Sequence, residues 1–296
     1  MPQSAPVTLW TRFRYGGLFL VCVVGFVLSQ ILADVFTRFL MGPASPPATF
    51  NIVFRPLALA FLLIIFGAMA KLMDRTSASF LESQGLGLAG RWKNDCLLGM
   101  LLGATLVALC VAVVALLGRY RAELLPVEGM ALRLGGILWV GLTAAALEEV
   151  AFRGYPFQTL IRAIGPLGAT LLLAVLFGFI HLANPHASAT GFTTTALVSV
   201  LLSLAYLRTG RLWMPIGVHF AWNFTLGTLF GLPVSGVDLF AVVVKARADG
   251  PLWLTGGDYG IEASLTGTVA ILVGTAGVYL LTRPKRVMDT GTSVSN

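Results

Sequence analysis

Three short groups of polar residues stand inside otherwise apolar sequence, and their types are those that activate water. The first is Glu148-Glu149-Val150-Ala151-Phe152-Arg153. Adjacent carboxylates on a helix point about 100° apart and do not easily share one partner. Glu149 and Arg153 have i,i+4 spacing, which favours an ion pair within the helix. That leaves Glu148 free to face another helix. The second group is Phe177 to His181, late in the following apolar run, with His186 reading as a loop or rim residue. The third is His219 and Asn223, again i,i+4 and therefore on one helix face, with Trp222 expected to turn away toward lipid or packing.

Each group also has a plain structural reading. The two acids could pair with bases at an interface. A lone histidine on an apolar helix is usually a satisfied core residue. His219 and Asn223 could be interhelical glue, worth roughly 0.6 to 2 kcal/mol per bond. Taken together they form a kit for hydrolysis. A carboxylate in an apolar site can act as base and then as acid. An imidazole can hold the water, and two further donors can stabilise a tetrahedral oxyanion. The same set could instead bind one divalent metal such as zinc, with Glu148, His181 and His219 as ligands. No H-E-x-x-H motif accompanies it.

Positioning these groups falls to apolar helices. The chain has 296 residues, of which 57% are hydrophobic and only 11% charged, and its mean hydropathy is +0.86. Soluble domains carry about 25% charged residues, so an ordinary soluble enzyme and a disordered chain are both excluded. Runs long enough to cross a bilayer are expected at 15–33, 56–70, 96–118, 134–161, 163–183, 187–207, 212–237 and 263–282, with Asn184-Pro185-His186 separating the fifth from the sixth. Ser77 to Asp95 reads as a loop with a short interfacial helix, and Val237 to Glu262 as a long outer loop. The expected architecture is an all-α polytopic integral membrane protein of about eight transmembrane helices with an intramembrane polar active site. It forms a single domain over 15–282, with a core of about 95–230, between polar tails 1–14 and 283–296.

A carboxylate at membrane depth costs a few kcal/mol or more, so charges buried in such segments are functional candidates by default. The formal charge of +7 does not indicate a nucleic-acid partner, because Lys and Arg punctuate the apolar runs instead of forming a patch. Thirteen of the 20 fall on the side that holds both termini, which places the termini in the cytoplasm. Cys22, Cys96 and Cys110 all sit in apolar runs and read as small packing residues, not as bridges. Arg12 and Arg14 before the first run imitate a signal peptide. The run is too long for one and lacks a cleavage site, so an uncleaved anchor is expected.

The set E-E-x-x-x-R, F-x-x-x-H and H-x-x-x-N on successive membrane helices resembles the CPBP intramembrane proteases. That group includes type II CAAX prenyl endopeptidases, bacteriocin-processing and immunity proteins, and lysostaphin-resistance proteins of the A type. The resemblance implies an endopeptidase acting on a peptide or membrane-associated protein, with membrane lipid around it. If the source is bacterial, the plasma (inner) membrane is implied. Glu148 would be the general base, sharing a water with His181. His219 and Asn223 would form the oxyanion site, with Glu149, Arg153 and Phe177 in support. A metal-free glutamate mechanism is favoured over one zinc. Two alternatives remain open: a catalytically idle binding or immunity protein of the same fold, and a transporter. Simple counting puts His181 near the outer end of its helix and His219 near the inner end of its own. The two can meet only if their helices are tilted, offset or broken.

Overall fold

A computed structural model of the chain describes residues 8–126, 128–238 and 243–282. The described chain is mostly helical: α1 (Leu9–Met41), α2 (Pro47–Asp74), α3 (Phe80–Ser83), α4 (Trp92–Leu116), α5 (Met130–Arg153), α6 (Tyr155–Ile180), α7 (Ala189–Thr209), α8 (Trp213–Phe224), α9 (Leu252–Thr255) and α10 (Leu265–Leu281). Among the described residues five stretches are long and apolar enough to cross a membrane, and the longest, Met130–Ala183, contains both α5 and α6. The protein is an integral membrane protein. Helix α1 reaches back to Leu9 because the Thr8 hydroxyl caps it, accepting from the Thr11 N–H. The helix therefore begins inside the segment set aside as a tail. The expected tail 283–296 lies outside the described residues.

Two expectations need correction. The fold is not purely helical: β1 (Tyr120–Leu124) pairs antiparallel with β2 (Val244–Ala248), with Glu123 opposite Lys245. The fourth apolar run also does not continue to Ile161. It breaks at Gly154, where ψ is −138°. Pro156 follows, and the residue before a proline disfavours helical geometry. The freed Tyr155 N–H is taken by the Gln84 side-chain oxygen at 3.0 Å, delivered by the turn after α3. Helix α6 breaks a second time at Gly165-Pro166, where Gly165 has φ 78°.

Three contacts fix the bundle. Asp74, at the end of α2, accepts from Tyr155 Oη at 3.0 Å, Arg162 Nη1 at 2.6 Å and Tyr15 Oη at 3.3 Å, tying α1, α2 and α6 together. Helices α4 and α8 cross backbone to backbone: a Cβ added at Gly99, Gly103 or Gly217 would strike the carbonyls of Met214, Val218 or Cys96 respectively. Small residues allow such close approach between membrane helices. On the other side, Pro56 has no N–H to give the Ile52 carbonyl. Trp139 Nε1 on α5 donates to that carbonyl instead, at 3.0 Å, joining α2 to α5.

Candidate active site

The last turns of α5 carry the acids, and their two environments are opposite. Glu149 is fully buried. Its Oε1 accepts from Arg153 Nη1 at 3.2 Å, across one helical turn, and from His219 Nδ1 at 2.8 Å. Arg153 is also fully buried, and its Nη2 donates to Ser199 Oγ on α7 at 2.6 Å. Its guanidinium carbon sits 4.8 Å from the Phe177 ring centroid. A buried ion pair needs further hydrogen bonds to support it; Ser199 on α7 and His219 on α8 supply some here, while Glu149 Oε2 and Arg153 Nε have no partner among the described residues. Ser199 and its contact were not anticipated from sequence.

Glu148 faces a cavity of about 680 Å³ between α1, α2, α5, α6, α7 and α8. Its side chain is 31% exposed, yet its Oε2 is buried and has no hydrogen-bond partner. That oxygen lies 3.7 Å from His219 Nε2. Because a carboxylate only accepts, His219 donates from Nδ1 to Glu149 and turns Nε2 toward Glu148.

His181 borders the same cavity from the end of α6. The helix stops at Ile180 and a 3₁₀ turn runs from His181 to Ala183. The Phe177 carbonyl, one of the orphan acceptors of a helix end, is bonded by His181 Nδ1 at 2.7 Å. A carbonyl cannot donate, so Nδ1 carries the proton and Nε2 keeps its lone pair. Phe177 is buried between the two imidazoles, with ring centroids 4.5 Å from His181 and 6.4 Å from His219. Asn223 borders the cavity one turn after His219, and a π-helical turn at Thr225–Leu229 follows directly. Helix α6 is broken at Gly165-Pro166, upstream of the Asn184-Pro185 connection, and His181 and His219 border the same cavity. His186 is exposed, at φ 57°, in that connection.

Of the two places expected for Trp222, lipid or packing, it takes the second. It is buried, borders the cavity, and donates from Nε1 to Glu262 Oε1 at 2.9 Å. The other Glu262 oxygen accepts from the Ser235 hydroxyl at 2.8 Å and from the Ser235 N–H. Nothing in the sequence marked Glu262, which stands alone at a loop end. Among the described residues, no three His, Cys, Asp or Glu side chains gather closely enough to hold a metal ion. Glu148, His181 and His219 are thus not gathered as a set of zinc ligands.

Residues 130–225, about a third of the chain, match the family model described as Type II CAAX prenyl endopeptidase Rce1-like. Over this segment the chain is similar to the CAAX-protease family. The family's match begins with α5 and ends just past α8, so it contains Glu148, Glu149, Arg153, Phe177, His181, His219 and Asn223. Glu262, the β1–β2 pair and the wall of the cavity on α1 and α2 lie outside it. The matched family is one of membrane proteases, which are hydrolases. No curated protein and no solved structure matches the chain.

Proposed function

We propose that this protein is an intramembrane endopeptidase of the CAAX-protease family in which Glu148 activates water. The observation that carries the reading is the unpartnered Glu148 Oε2 in the cavity, 3.7 Å from His219 Nε2. A buried acceptor with no protein partner calls for water, and here that water would lie beside an imidazole as well. Glu148 takes the water proton, the oxygen attacks the peptide carbonyl, and Glu148 returns the proton to the leaving amine. His181, with its Nε2 lone pair free, steadies the same water. The oxyanion is met by the Asn223 carboxamide and by His219 Nε2 when that ring is doubly protonated, with Glu149 as its counter-charge. Glu149 and Arg153 are positioning residues: one orients the imidazole, the other anchors Glu149 to α7.

The substrate is a peptide or membrane-associated protein segment that enters from the bilayer. Helices α8 and α10, shorter than the other spans, complete eight crossings in this reading, with both termini in the cytoplasm. The test is cleavage of a quenched membrane-associated peptide by purified protein, together with its metal content, with and without a strong chelator. Glu148→Gln should abolish turnover in a folded protein, and retained turnover removes the base assignment. Activity that survives chelation with no metal bound supports the water dyad. About one tightly held zinc per chain, with loss on chelation and return on addition, would replace it with a metal mechanism. Binding of a partner with no hydrolysis of any peptide would favour the idle binding reading.

A further inference from the structure

The hydrolytic chemistry gives no task to Glu262, a third acid bordering the cavity. It is buried in the 3₁₀ turn Ile261–Ala263 that leads into α10. Three neutral donors converge on it. Trp222 Nε1 reaches one oxygen at 2.9 Å, and the Ser235 hydroxyl, at 2.8 Å, and the Ser235 N–H share the other. A buried carboxylate is costly unless it is well bonded. An amide would place a donor where the Ser235 N–H needs an acceptor, so both carboxylate oxygens are in use. The turn on the far side of this grip is itself constrained. Ser235 has φ 48°, a conformation that a residue with a side chain adopts at a cost. A Cβ added at Gly236 would strike the Pro185 carbonyl, and the Gly236 N–H donates to the Tyr259 carbonyl at 2.9 Å. Val234, Ser235 and Val237 border the cavity from this turn.

The near side of the grip is α8, which side chains tether at three levels. Trp213 Nε1 donates to the Gly87 carbonyl at 3.1 Å near its start, His219 Nδ1 to Glu149 at 2.8 Å in its middle, and Trp222 Nε1 to Glu262 in its last turn. Asn223, next in the chain, borders the cavity, and its carboxamide makes no hydrogen bond among the described residues. The backbone of α8 alone sets its place. That backbone changes pitch immediately afterwards, because Phe224 ends the α-helix and Thr225–Leu229 is a π-helical turn. At 100° per residue, Trp222 stands about 60° to one side of His219 and Asn223 about 40° to the other. Tethers at His219 and Trp222 therefore fix the rotation of the helix end about its own axis, and with it the direction of Asn223.

We propose that Glu262 is a positioning residue for Asn223, acting through Trp222. Its carboxylate locks the last turn of α8 at the rotation that aims the Asn223 carboxamide at the reacting carbonyl, and it couples that rotation to the closed turn at Val234–Val237. The inference rests on the peptidase reading of the same cavity, in which Asn223 meets the oxyanion. Misplacing a reacting or stabilising group by about 1 Å can cost about 10²-fold in rate, so the loss of the grip should appear in the chemical step and not in substrate binding.

The test uses the full chain in nanodiscs and a quenched membrane-associated peptide, with kcat, KM and melting temperature read for each variant. Glu262→Gln and Trp222→Phe should each lower kcat by about tenfold to a hundredfold and leave KM nearly unchanged. Glu262→Asp, which keeps two acceptor oxygens, should recover part of the loss. Asn223→Ala should lose about 10²–10³-fold, the range for one oxyanion donor. In that background Glu262→Gln should slow turnover no further, because the group it positions is gone. If Glu262→Gln fails to fold, Trp222→Phe carries the same cycle. An unchanged kcat in both Glu262→Gln and Trp222→Phe overturns the proposal. So does a raised KM at constant kcat, which would make the turn a substrate contact. Equal losses with and without the Asn223 carboxamide overturn it too, since Glu262 would then support the fold alone. Wild-type protein that cleaves no peptide removes the peptidase reading and this role with it. Wild-type turnover that ignores Glu262→Gln and Trp222→Phe keeps the peptidase and removes only the assignment of Glu262.

Discussion

Gly217 on α8 lies against the Cys96 carbonyl of α4 with no room for a methyl group, while two residues on, His219 borders a cavity of about 680 Å³. One face of α8 is as dry and close as helix packing allows, and the other is open. The two faces need each other. A catalytic side chain must be held within a fraction of an ångström to be useful, and that demands a rigid element beneath it. The α4 crossing supplies the rigidity, and the looser junction of α2 with α5 leaves the space. The same contrast recurs within one dipeptide: Glu149 is fully enclosed by Arg153 and His219, while Glu148 is left facing the void.

A large loss of stability should come from filling the closed face. Gly103→Ala places a methyl group on the Val218 carbonyl, and neither backbone can move without parting α4 from α8. A loss of about 3 kcal/mol, or no recoverable monodisperse protein, is expected. Gly136→Ala on the cavity side meets nothing closer than the Ile52 Cδ1 at 3.9 Å. It should be neutral, or stabilising by about 1 kcal/mol through helix propensity. Melting curves in detergent compare the two. If Gly136→Ala proves as damaging, the open face is not open.

The adjacent acids sharpen the contrast. Glu149→Gln removes one partner of a buried pair and should cost about 3–5 kcal/mol. Glu148→Gln should leave the melting temperature nearly unchanged and lower turnover by about 10²–10⁴-fold or more, the range for loss of a general base. In whatever Glu149→Gln protein folds, activity should fall less than in Glu148→Gln. The reverse order would move the base to Glu149. His181→Ala should also abolish turnover while the protein stays folded, because its contacts are local to the end of α6. A melting temperature that drops with it would make His181 a structural cap only.

Legibility from sequence followed the same division. The apolar runs were readable because lipid imposes a length and a composition on each crossing. The three polar groups were readable because charge and imidazole are rare in such runs, and all of them border or underlie the same cavity. What escaped was whatever depends on a partner far along the chain. The β1 strand is five residues with no apolar alternation, and its partner begins more than a hundred residues later. Glu262 acquires its meaning from Trp222 and Ser235, contacts that no spacing in the sequence announces. The break at Gly154 had a local signal, Pro156 two residues on, but hydropathy passes over it. Arg55 reads as a snorkelling edge residue, and only the packing of α2 beside α5 brings it to the cavity wall.

The smallest effect isolates the junction that keeps the cavity open. Trp139 Nε1 donates to the Ile52 carbonyl, which is free because Pro56 has no N–H to offer it. Trp139→Phe keeps the ring and removes the donor, so it should cost about 1 kcal/mol, the net worth of one such bond. Pro56→Ala restores an N–H four residues after Ile52, and that carbonyl is then satisfied within α2. In the Pro56→Ala background, Trp139→Phe should therefore cost almost nothing. A melting-temperature cycle over the four proteins reads the coupling directly. Additive losses would mean that Trp139 acts through packing alone, and that α2 and α5 are held at this level by something other than the carbonyl that proline sets free.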